Sequence, residues 1–350
     1  MDYIKFLYLF FLGLLIGCTK DQPPLNEDIS TIHGILILNE GLFQQNNSSV
    51  TWINLVDETI SNSIFESLNG RPLGDTGNDI KRYGSKIYIV MNGSSTIEVL
   101  NAHNFQSIKQ IPLILNQQGQ SPRSIAFSGQ NAYVASYDGY INVIDTVSLI
   151  VTNRLAVGNN PEEVIIHNNF LYVSNSGGLN YPIFDSTVYQ IDLNNLAITD
   201  TFNVGANPGE ISIDTEGNLY VIKRGDYTSD PSELIYVNTN SGEVTNLQIP
   251  VSTIFKKGQN LFIGNFDFNS SQSQIGLYNL ESKQLISNTI IDDTEIATLY
   301  GIYVDDNDNL ICLDAQGFTN SGFLKIFDMN GVLKKSFEVG LNPNHLLYYE

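Results

Sequence analysis

Few residues in this chain have the type and spacing that catalysis requires. The acidic turn 305–309 resembles part of a calcium loop but lacks the later glutamate, so we interpret it as a solvated hairpin turn. No glycine-rich phosphate loop, G-x-S-x-G elbow or Cys/His pair is present. No metal-ligand spacing occurs among the four histidines, which are His33, His103, His167 and His345. The sequence therefore favours a binding protein, without metal or cofactor, over an enzyme.

Aromatic residues recur in segments that are rich in Asn, Gln and Ser and poor in charge. Such surfaces suit a large amphipathic ligand, held by stacking and by neutral hydrogen bonds. The candidate ligand-binding aromatic residues are Phe43, Tyr137, Tyr181, Phe184, Tyr227, Phe266, Phe268 and Phe318. The candidate polar contacts are Asn46, Arg71, Asp75, Arg123 and Arg224. The alternative is that half of these aromatic rings only pack the loops.

The elements that must position these residues form a repeat. A four-strand unit recurs with a period of about 44 residues over six units from Asp75 to Gly340. Several units open on a G-x-x-P turn, as at 158–161 and 205–208. Apolar residues alternate with period two in each segment, which excludes helical repeats of similar length. A unit of this length with four short strands indicates one blade of a β-propeller.

The remaining strands predict the number of blades. Three strands precede the first complete unit, at 35–39, 49–55 and 59–65, and a single strand at 345–349 follows the last G-x-x-P turn. We predict that this C-terminal strand completes the first blade. The result is an all-β, seven-bladed propeller of four-stranded blades over residues 34–350. Such closure removes the exposed sheet edge that would invite aggregation.

Loop lengths differ between the two faces of the predicted ring. In a four-stranded blade, the loops from the second to the third strand share a face with the connections to the next blade. These second-to-third loops are long, at 39–49, 175–186, 223–232, 265–273 and 314–322. Loops on the other face are short turns, such as 216–218 and 306–308. The sequence therefore predicts that the long-loop face binds the ligand.

The N-terminus has the layout of a cleavable export signal. An apolar stretch from Phe6 to Ile16, too short to span a bilayer, leads to Gly17 and Cys18. The segment LIGC (15–18) resembles a bacterial lipobox. We therefore predict a lipoprotein signal peptide over 1–17, a lipidated Cys18, and a flexible tether over 18–33. The alternative is an ordinary secretory signal with an incidental cysteine.

Charge and cysteine content limit the partners. The formal net charge of −20 argues against nucleic acid and against anionic lipid surfaces, so the lipid is the expected membrane contact. The second cysteine, Cys312, lies inside an apolar run, and we expect no intramolecular disulfide. The core must therefore hold the exported protein together.

The repeat segments LYVSN and AYVAS resemble the YVTN/YncE-like propellers from about Ile35 to the end. The first blade and a half, with ILNEG (37–41), NNSS (46–49) and NGRPLGD (69–75), resembles the BtuG-type propeller lipoproteins of Bacteroidetes. Those proteins sit beside TonB-dependent transporters and capture cobalamin at the cell surface. The resemblance implies an outer-membrane surface lipoprotein that binds a corrinoid and passes it to such a transporter.

Two other functions remain open. His345 is predicted to face Glu163 and Glu210 across the central channel. The streptogramin lyases, distant propellers similar to this one, use a histidine and a glutamate there. A simpler interpretation is that these groups line the channel and are satisfied by water. A scaffold that binds another protein through its flat face is the third possibility.

Overall fold

The computed structural model describes residues 33–292 and 294–349. Seven four-stranded antiparallel sheets form the blades of a propeller, as predicted. In chain order the elements are β1 (Gly34–Asn39), β2 (Ser49–Asn54), β3 (Ile60–Ser61), α1 (Ile64–Asn69), β4 (Gly77–Tyr83), β5 (Lys86–Met91), β6 (Thr96–Asn101), β7 (Ser107–Pro112), β8 (Ile114–Leu115), β9 (Gln118–Gly119), β10 (Pro122–Ser128), β11 (Asn131–Ser136), β12 (Tyr140–Asp145), β13 (Ile150–Ala156), β14 (Pro161–His167), β15 (Phe170–Asn175), β16 (Thr187–Asp192), β17 (Ala197–Asn203), β18 (Pro208–Ile213), β19 (Leu219–Lys223), β20 (Glu233–Val237), β21 (Val244–Pro250), β22 (Thr253–Lys257), β23 (Asn260–Asp267), β24 (Gln272–Asn279), β25 (Gln284–Ile291), β26 (Leu299–Val304), β27 (Leu310–Asp314), a 3-10 turn (Gln316–Phe318), β28 (Ser321–Phe327), β29 (Leu333–Leu341) and β30 (Pro343–Tyr349).

The C-terminal strand closes the ring. Blade 1 has the strand order β3-β2-β1-β30, so β30 is its innermost strand. The pairing runs from Gly34 opposite Tyr349 to Leu38 opposite His345. Blades 2 to 7 begin at β4, β10, β14, β18, β22 and β26. The predicted closure is confirmed; the predicted signal peptide, Cys18 and most of the tether lie outside the described residues.

The core lies between neighbouring blades. Each pair of blades encloses one apolar cluster built from alternate residues of the facing strands. Cys312 is completely buried in the cluster between blades 6 and 7, and this burial raises the pKa of its thiol. Burial of one large aliphatic side chain contributes about 1.5–3 kcal/mol, so these clusters stabilise the ring without disulfides.

The structure corrects the outer edge of blade 1. The segment 59–65 was predicted as a strand, but β3 covers only Ile60 and Ser61, and α1 follows at Ile64. The consecutive residues Ile64 and Phe65 are both buried, at 4% and 1% exposure. A strand turns consecutive side chains to opposite faces, whereas a helical turn can bury both against the core.

Two loops also differ from the prediction. The predicted loop 265–273 is mostly strand, because β23 and β24 continue pairing to Asp267 opposite Gln272 and leave a turn at 268–271. The short hairpin of β8 and β9 was not predicted; it lies in the connection from blade 2 to blade 3. Within the described residues, no helix is both long and apolar enough to cross a membrane.

Candidate functional site

The first recurring site position lies at the start of each innermost strand. The register slips there in six blades, so one or two residues are bulged out of the pairing. A bulge re-aims its side chain, here toward the central channel. These bulge positions hold Asn78, Arg123, Glu162, Gly209, Tyr300 and Asn344. In blade 6 the innermost strand β22 pairs with β23 without a register slip.

The second recurring position is the first residue after the second strand of a blade. Its backbone N–H donates to the carbonyl of the residue that precedes the innermost strand, over 2.8–3.1 Å. In three blades that acceptor is an asparagine before proline with positive φ, a conformation that asparagine tolerates better than most residues. These loop-base positions hold Glu40, Asn92, Tyr137, Ser176, Arg224 and Ala315.

Side chains at the two positions join neighbouring blades. The hydroxyl of Tyr300 in blade 7 donates to Oε2 of Glu40 in blade 1. The Nδ2 of Asn344 donates to the carbonyl of Gly77 in blade 2, over 2.7 Å. The Nδ2 of Asn78 then donates to the carbonyl of Arg123 in blade 3, over 3.0 Å. These bonds form one half of what we call the polar circuit.

The other half of the polar circuit centres on Glu162 in blade 4. Its Oε1 accepts hydrogen bonds from Nη2 of Arg123 at 2.6 Å and from Nη2 of Arg224 at 3.2 Å. Its Oε2 accepts a hydrogen bond from the hydroxyl of Tyr137, whose ring lies 4.8 Å from the Arg123 guanidinium carbon. Burial alone would raise the pKa of Glu162, but the two guanidinium groups lower it to about 2. The polar circuit thus runs from blade 7 through blade 1 to blade 5.

A deeper layer of the channel contains a second charged group. Lys81 Nζ lies 3.1 Å from Asp79 Oδ2 and 3.8 Å from Glu163 Oε1. The hydroxyl of Ser124 donates to Glu163 Oε1 over 2.8 Å. Burial raises the pKa of Glu163 to about 7, although Lys81 opposes the shift. Glu163 can therefore exchange a proton near neutral pH.

The channel also contains the predicted His345 and Glu210. The nearest polar partner of His345 is the hydroxyl of Tyr303, 3.4 Å from its Nδ1. Burial lowers the pKa of His345, so its imidazole is neutral at neutral pH. Glu210 Oε2 accepts from the backbone N–H of Ile254 over 3.0 Å, and burial raises its pKa. These four residues belong to four different blades, which allows one ligand to contact several of them.

The channel widens into a cavity of about 610 Å³ on the long-loop face. This volume falls in the usual range for small-molecule sites. One side is charged and polar, with Arg123, Glu162 and Arg224, which we call the charged wall. The other side, which we call the aromatic wall, is formed mainly by blades 6 and 7 and consists of Phe266, Phe268, Tyr300 and Phe318. The cavity is therefore amphipathic across its width.

The aromatic wall is a packed group of rings. Phe268 stacks on Phe318 at 6.0 Å between centroids, and Phe266 contacts Phe268 edge-on at 4.9 Å. Tyr300 meets Phe318 edge-on at 5.4 Å. Phe268 remains 74% exposed, although its neighbours hold its ring in place. The extended pairing of β23 and β24 carries Phe266 and the turn with Phe268 over the cavity mouth.

A second series of rings continues from the cavity rim. Phe184 contacts Tyr181 at 5.9 Å and Tyr227 at 5.8 Å, both edge-on. Tyr227 lines the cavity and accepts a hydrogen bond from Nδ2 of Asn207 over 2.7 Å. Tyr181 is 64% exposed at the outer end. This series extends the aromatic surface across blades 4 and 5.

The structure thus brings many of the predicted site residues together. Six line the cavity, and they are Arg123, Arg224, Tyr227, Phe266, Phe268 and Phe318. Tyr137 supports the charged wall, while Tyr181 and Phe184 extend the aromatic surface.

Four predicted residues lie apart from the cavity wall. Arg71 binds both oxygens of Glu98, at 2.8 and 2.9 Å, on the side of blade 2. Asp75 Oδ1 accepts from the backbone N–H of Gln44 over 3.1 Å and fixes the loop 40–48. Phe43 and Asn46 lie exposed in that same loop.

Sequence reasoning missed three residues that line the cavity. Glu162, Glu40 and Tyr300 were not among the candidates. Glu162 follows the proline of a G-x-x-P turn, as Arg123 does, and Glu40 follows a second strand, as Arg224 does. Equivalent positions in the repeat were therefore the signal that could have found Glu162 and Glu40.

Several solved structures share the fold. A quinonprotein alcohol dehydrogenase-like protein from Bacteroides thetaiotaomicron has a TM-score of 0.65 at 14% identity, over 93% of this chain and 80% of its own. The periplasmic gluconolactonase of Pseudomonas aeruginosa has a TM-score of 0.65 at 12% identity, over 91% and 99%. Hydrazine synthase of Kuenenia stuttgartiensis has a TM-score of 0.58 at 14% identity, over 74% and 85%. At these identities the likeness concerns the fold alone.

No curated protein shows significant sequence similarity to this chain. Residues 33–340 match one family, and this range includes strands of every blade and all the cavity residues except Asn344 and His345. The chain therefore belongs to the family described as Domain of unknown function (DUF5074).

Proposed function

We propose that this chain is a ligand-binding propeller that takes up a large amphipathic small molecule on its long-loop face, and that the ligand is a corrinoid such as cobalamin. The observation that carries the proposal is the cavity itself. It sets an aromatic wall opposite a charged wall at the centre of the face where the long loops converge. Such a pair of surfaces suits a molecule with a broad apolar body and a polar edge.

The chemistry of a corrinoid fits this arrangement. A corrin ring offers a broad face for contact with Phe266 and Phe268, and its amide arms can exchange hydrogen bonds with neutral polar groups. Asn265 and Ser252 supply such groups on the wall of the cavity. Only part of so large a ligand enters the cavity. The rest lies over the rim, where Tyr181 and Tyr227 are exposed.

The proposed biological role follows from the resemblance and from the N-terminus. A lipid on Cys18 would hold the propeller at the outer membrane, and the ligand would pass to a TonB-dependent transporter beside it. A rigid, closed ring loses little conformational entropy when it binds, which supports high affinity. A lipoprotein that captures a scarce nutrient for a transporter needs that property.

Calorimetry with cyanocobalamin tests the binding step. We expect sub-micromolar affinity for the wild type. The double variant Tyr227→Ala/Phe266→Ala should bind at least tenfold more weakly, about 1.4 kcal/mol, because it removes two rings at the cavity. Val147→Ala serves as the control, since Val147 is 71% exposed in the turn between β12 and β13 on the opposite face. The assignment fails if several corrinoids give neither heat nor a shift in melting temperature.

A lyase of the streptogramin type is the second candidate. The observation in its favour is that His345, Glu163 and Glu210 line one cavity. A carboxyl group whose pKa lies near 7, as burial places that of Glu163, suits acid–base catalysis at neutral pH. Incubation with a streptogramin tests this, with His345→Ala as the matched variant. Cleavage that disappears in the variant would favour the enzyme.

A scaffold function is the third candidate, favoured by exposed apolar side chains on the long-loop face. Leu179 and Ile183 are 70% and 80% exposed on the loop that also carries Tyr181. A pull-down of a TonB-dependent transporter, with and without a Leu179→Ser/Ile183→Ser variant, separates protein docking from ligand binding.

A further inference from the structure

The position of the Arg224 side chain depends on a glycine. Gly209 occupies the bulge position of blade 5, where other blades carry a side chain. A Cβ at Gly209 would lie 2.8 Å from both Cζ and Nε of Arg224. The guanidinium therefore fills the space that a side chain would take. The backbone of Arg224 is fixed as well, because its N–H donates to the carbonyl of Asn207 over 3.1 Å.

The contacts of Arg224 leave part of its guanidinium available. Both terminal nitrogens lie 3.2 Å from one oxygen, Oε1 of Glu162. Among the described residues, Glu162 is the one carboxylate within 4.0 Å of this group. A guanidinium has five N–H donors, so one shared acceptor cannot satisfy them all. The remaining donors are available to a ligand in the cavity.

Exposure decides which charge the charged wall presents to the cavity. The side chain of Glu162 is 6% exposed, whereas those of Arg123 and Arg224 are 19% and 30% exposed. Glu162 also has both oxygens occupied, by the two arginines and by Tyr137. The negative charge lies beneath the two positive ones. The surface of the charged wall is therefore cationic, although the whole chain carries a net charge of −20.

Four other carboxyl groups line the same cavity, and they are Glu40, Asp79, Glu163 and Glu210. Asp79 and Glu163 share Lys81, whose Nζ lies 3.1 Å from Asp79 Oδ2 and 3.8 Å from Glu163 Oε1. Glu40 accepts a hydrogen bond from Tyr300, and burial raises its pKa. Glu210 points to the backbone N–H of Ile254, and burial raises its pKa as well. All four oppose an anion, but Glu40 and Glu210 each have a donor on a neighbouring blade, and Asp79 and Glu163 have the ammonium group of Lys81. None of the four lies within 4.0 Å of Arg224 in the described part of the chain.

We infer that Arg224 is an anion-binding residue of this site and that the ligand presents an oxyanion, such as a phosphate, sulfonate or carboxylate, to it. The inference rests on the cavity of the proposed function and narrows its ligand class. The ligand has a flat apolar body, which contacts the aromatic wall, and an oxyanion, which pairs with Arg224. A planar guanidinium can bind such a group through two parallel hydrogen bonds.

Two matched dyes test the inference without knowledge of the natural ligand. 8-Anilinonaphthalene-1-sulfonate carries a sulfonate, and N-phenyl-1-naphthylamine has the same rings without it. Fluorescence titration should show that the wild type binds the sulfonate at least tenfold more tightly. Arg224→Gln should abolish this preference and leave the affinity for the neutral dye unchanged. Phe268→Ala should weaken both dyes.

Two further variants keep the result interpretable. Gly209→Ala retains every charge but displaces the guanidinium, so it should weaken the sulfonate dye several-fold and spare the neutral one. Arg82→Gln removes an exposed arginine at the far end of β4 and should change neither dye. Melting temperatures of all variants establish that they are folded.

Three results would overturn the inference. They are no binding of the sulfonate dye to the wild type, equal affinity for both dyes, or an equal effect of Arg224→Gln on the two. The corrinoid titration is a separate measurement. Corrinoid binding without preference for the sulfonate would keep the proposed function and remove the anion assignment. Preference for the sulfonate without corrinoid binding would keep the anion assignment and remove the corrinoid proposal.

Discussion

The hydroxyl of Tyr300 donates a hydrogen bond to Oε2 of Glu40 across the seam between the last blade and the first. Burial raises the pKa of Glu40, and this hydrogen bond opposes the rise. A carboxyl group with a raised pKa holds its proton more tightly in the folded chain than in the unfolded one. Its contribution to stability therefore falls as pH rises through the folded pKa.

Tyr300→Phe should destabilise the protein by about 1–3 kcal/mol at neutral pH, because it leaves a buried carboxylate without its donor. The loss should be smaller at pH 4, where Glu40 is protonated. Urea unfolding at pH 4 and pH 7.5 measures both values. Tyr181→Phe is the control, since its hydroxyl belongs to a side chain that is 64% exposed. Equal losses at the two pH values would contradict the role assigned to this hydrogen bond.

Deletion of residues 341–350 should reduce stability severely. It removes β30, the innermost strand of blade 1, together with the buried side chains of Leu346 and Tyr349. It also leaves β1 as an open edge. We expect the melting temperature to fall by more than about 10 °C. Deletion of residues 19–30 is the comparison and should have little effect; two truncations that melt together would mean that closure does not stabilise the ring.

Glu162→Gln should be strongly destabilising at neutral pH, by about 3–5 kcal/mol, because Arg123 and Arg224 lose the charge between them. The two arginines lower the pKa of Glu162 to about 2, against burial. A lowered carboxyl pKa gives stability that is present above the unfolded pKa, near 4.5, and is lost as pH falls toward 2. The difference between variant and wild type should therefore shrink as pH falls from 5 toward 2.

Denaturant unfolding across this pH range measures the difference. Glu58→Gln is a matched control, because Glu58 pairs with Lys335 at 2.7 Å while both side chains are largely exposed. Such a surface pair contributes about 0–1 kcal/mol. If Glu162→Gln lowers the free energy of unfolding equally at every pH, the negative charge of Glu162 is not what stabilises Arg123 and Arg224.

Cys18→Ser should release the protein from the membrane fraction. The predicted lipid would anchor the protein, and the net charge of −20 gives no electrostatic attraction to anionic lipids. Fractionation of cells that express wild type and variant measures the effect. Recovery of the variant in the membrane pellet after a high-salt wash would refute the lipobox prediction.

The sequence was sufficient for the fold because a propeller repeats its pattern. Each blade repeats the same alternation of apolar residues, and several open on the same G-x-x-P turn, so the pattern of one blade supports the interpretation of the others. One departure from the prediction lies in blade 1, where Ile64 and Phe65 are buried side by side in α1. No repeat constrains that segment, and a local alternation of apolar residues was mistaken for a strand.

The candidate site was predictable only in part. Arg224 and Arg123 lay at repeat positions that point inward, but the sequence alone could not show that Glu162 joins them. That contact links residues 39 and 62 positions apart, and it depends on bulges that re-aim the side chains. Arg71, in contrast, was predicted to contact the ligand but lies apart from the cavity. Its partner Glu98 is 27 residues away on β6, and together they form a structural ion pair outside the cavity.

Blade 6 lacks the bulge at the start of its innermost strand, so it contributes to the ligand cavity but not to the polar circuit that joins the other blades. The polar circuit runs from blade 7 through blade 1 to blade 5, and the hairpin of β23 and β24 stands outside it with Phe266 and Phe268 at its tip. Mutations in this hairpin change what the cavity accepts but break none of the bonds that join the other blades. Selection can therefore change the ligand specificity of such a propeller through a single hairpin, while the other blades stay unchanged.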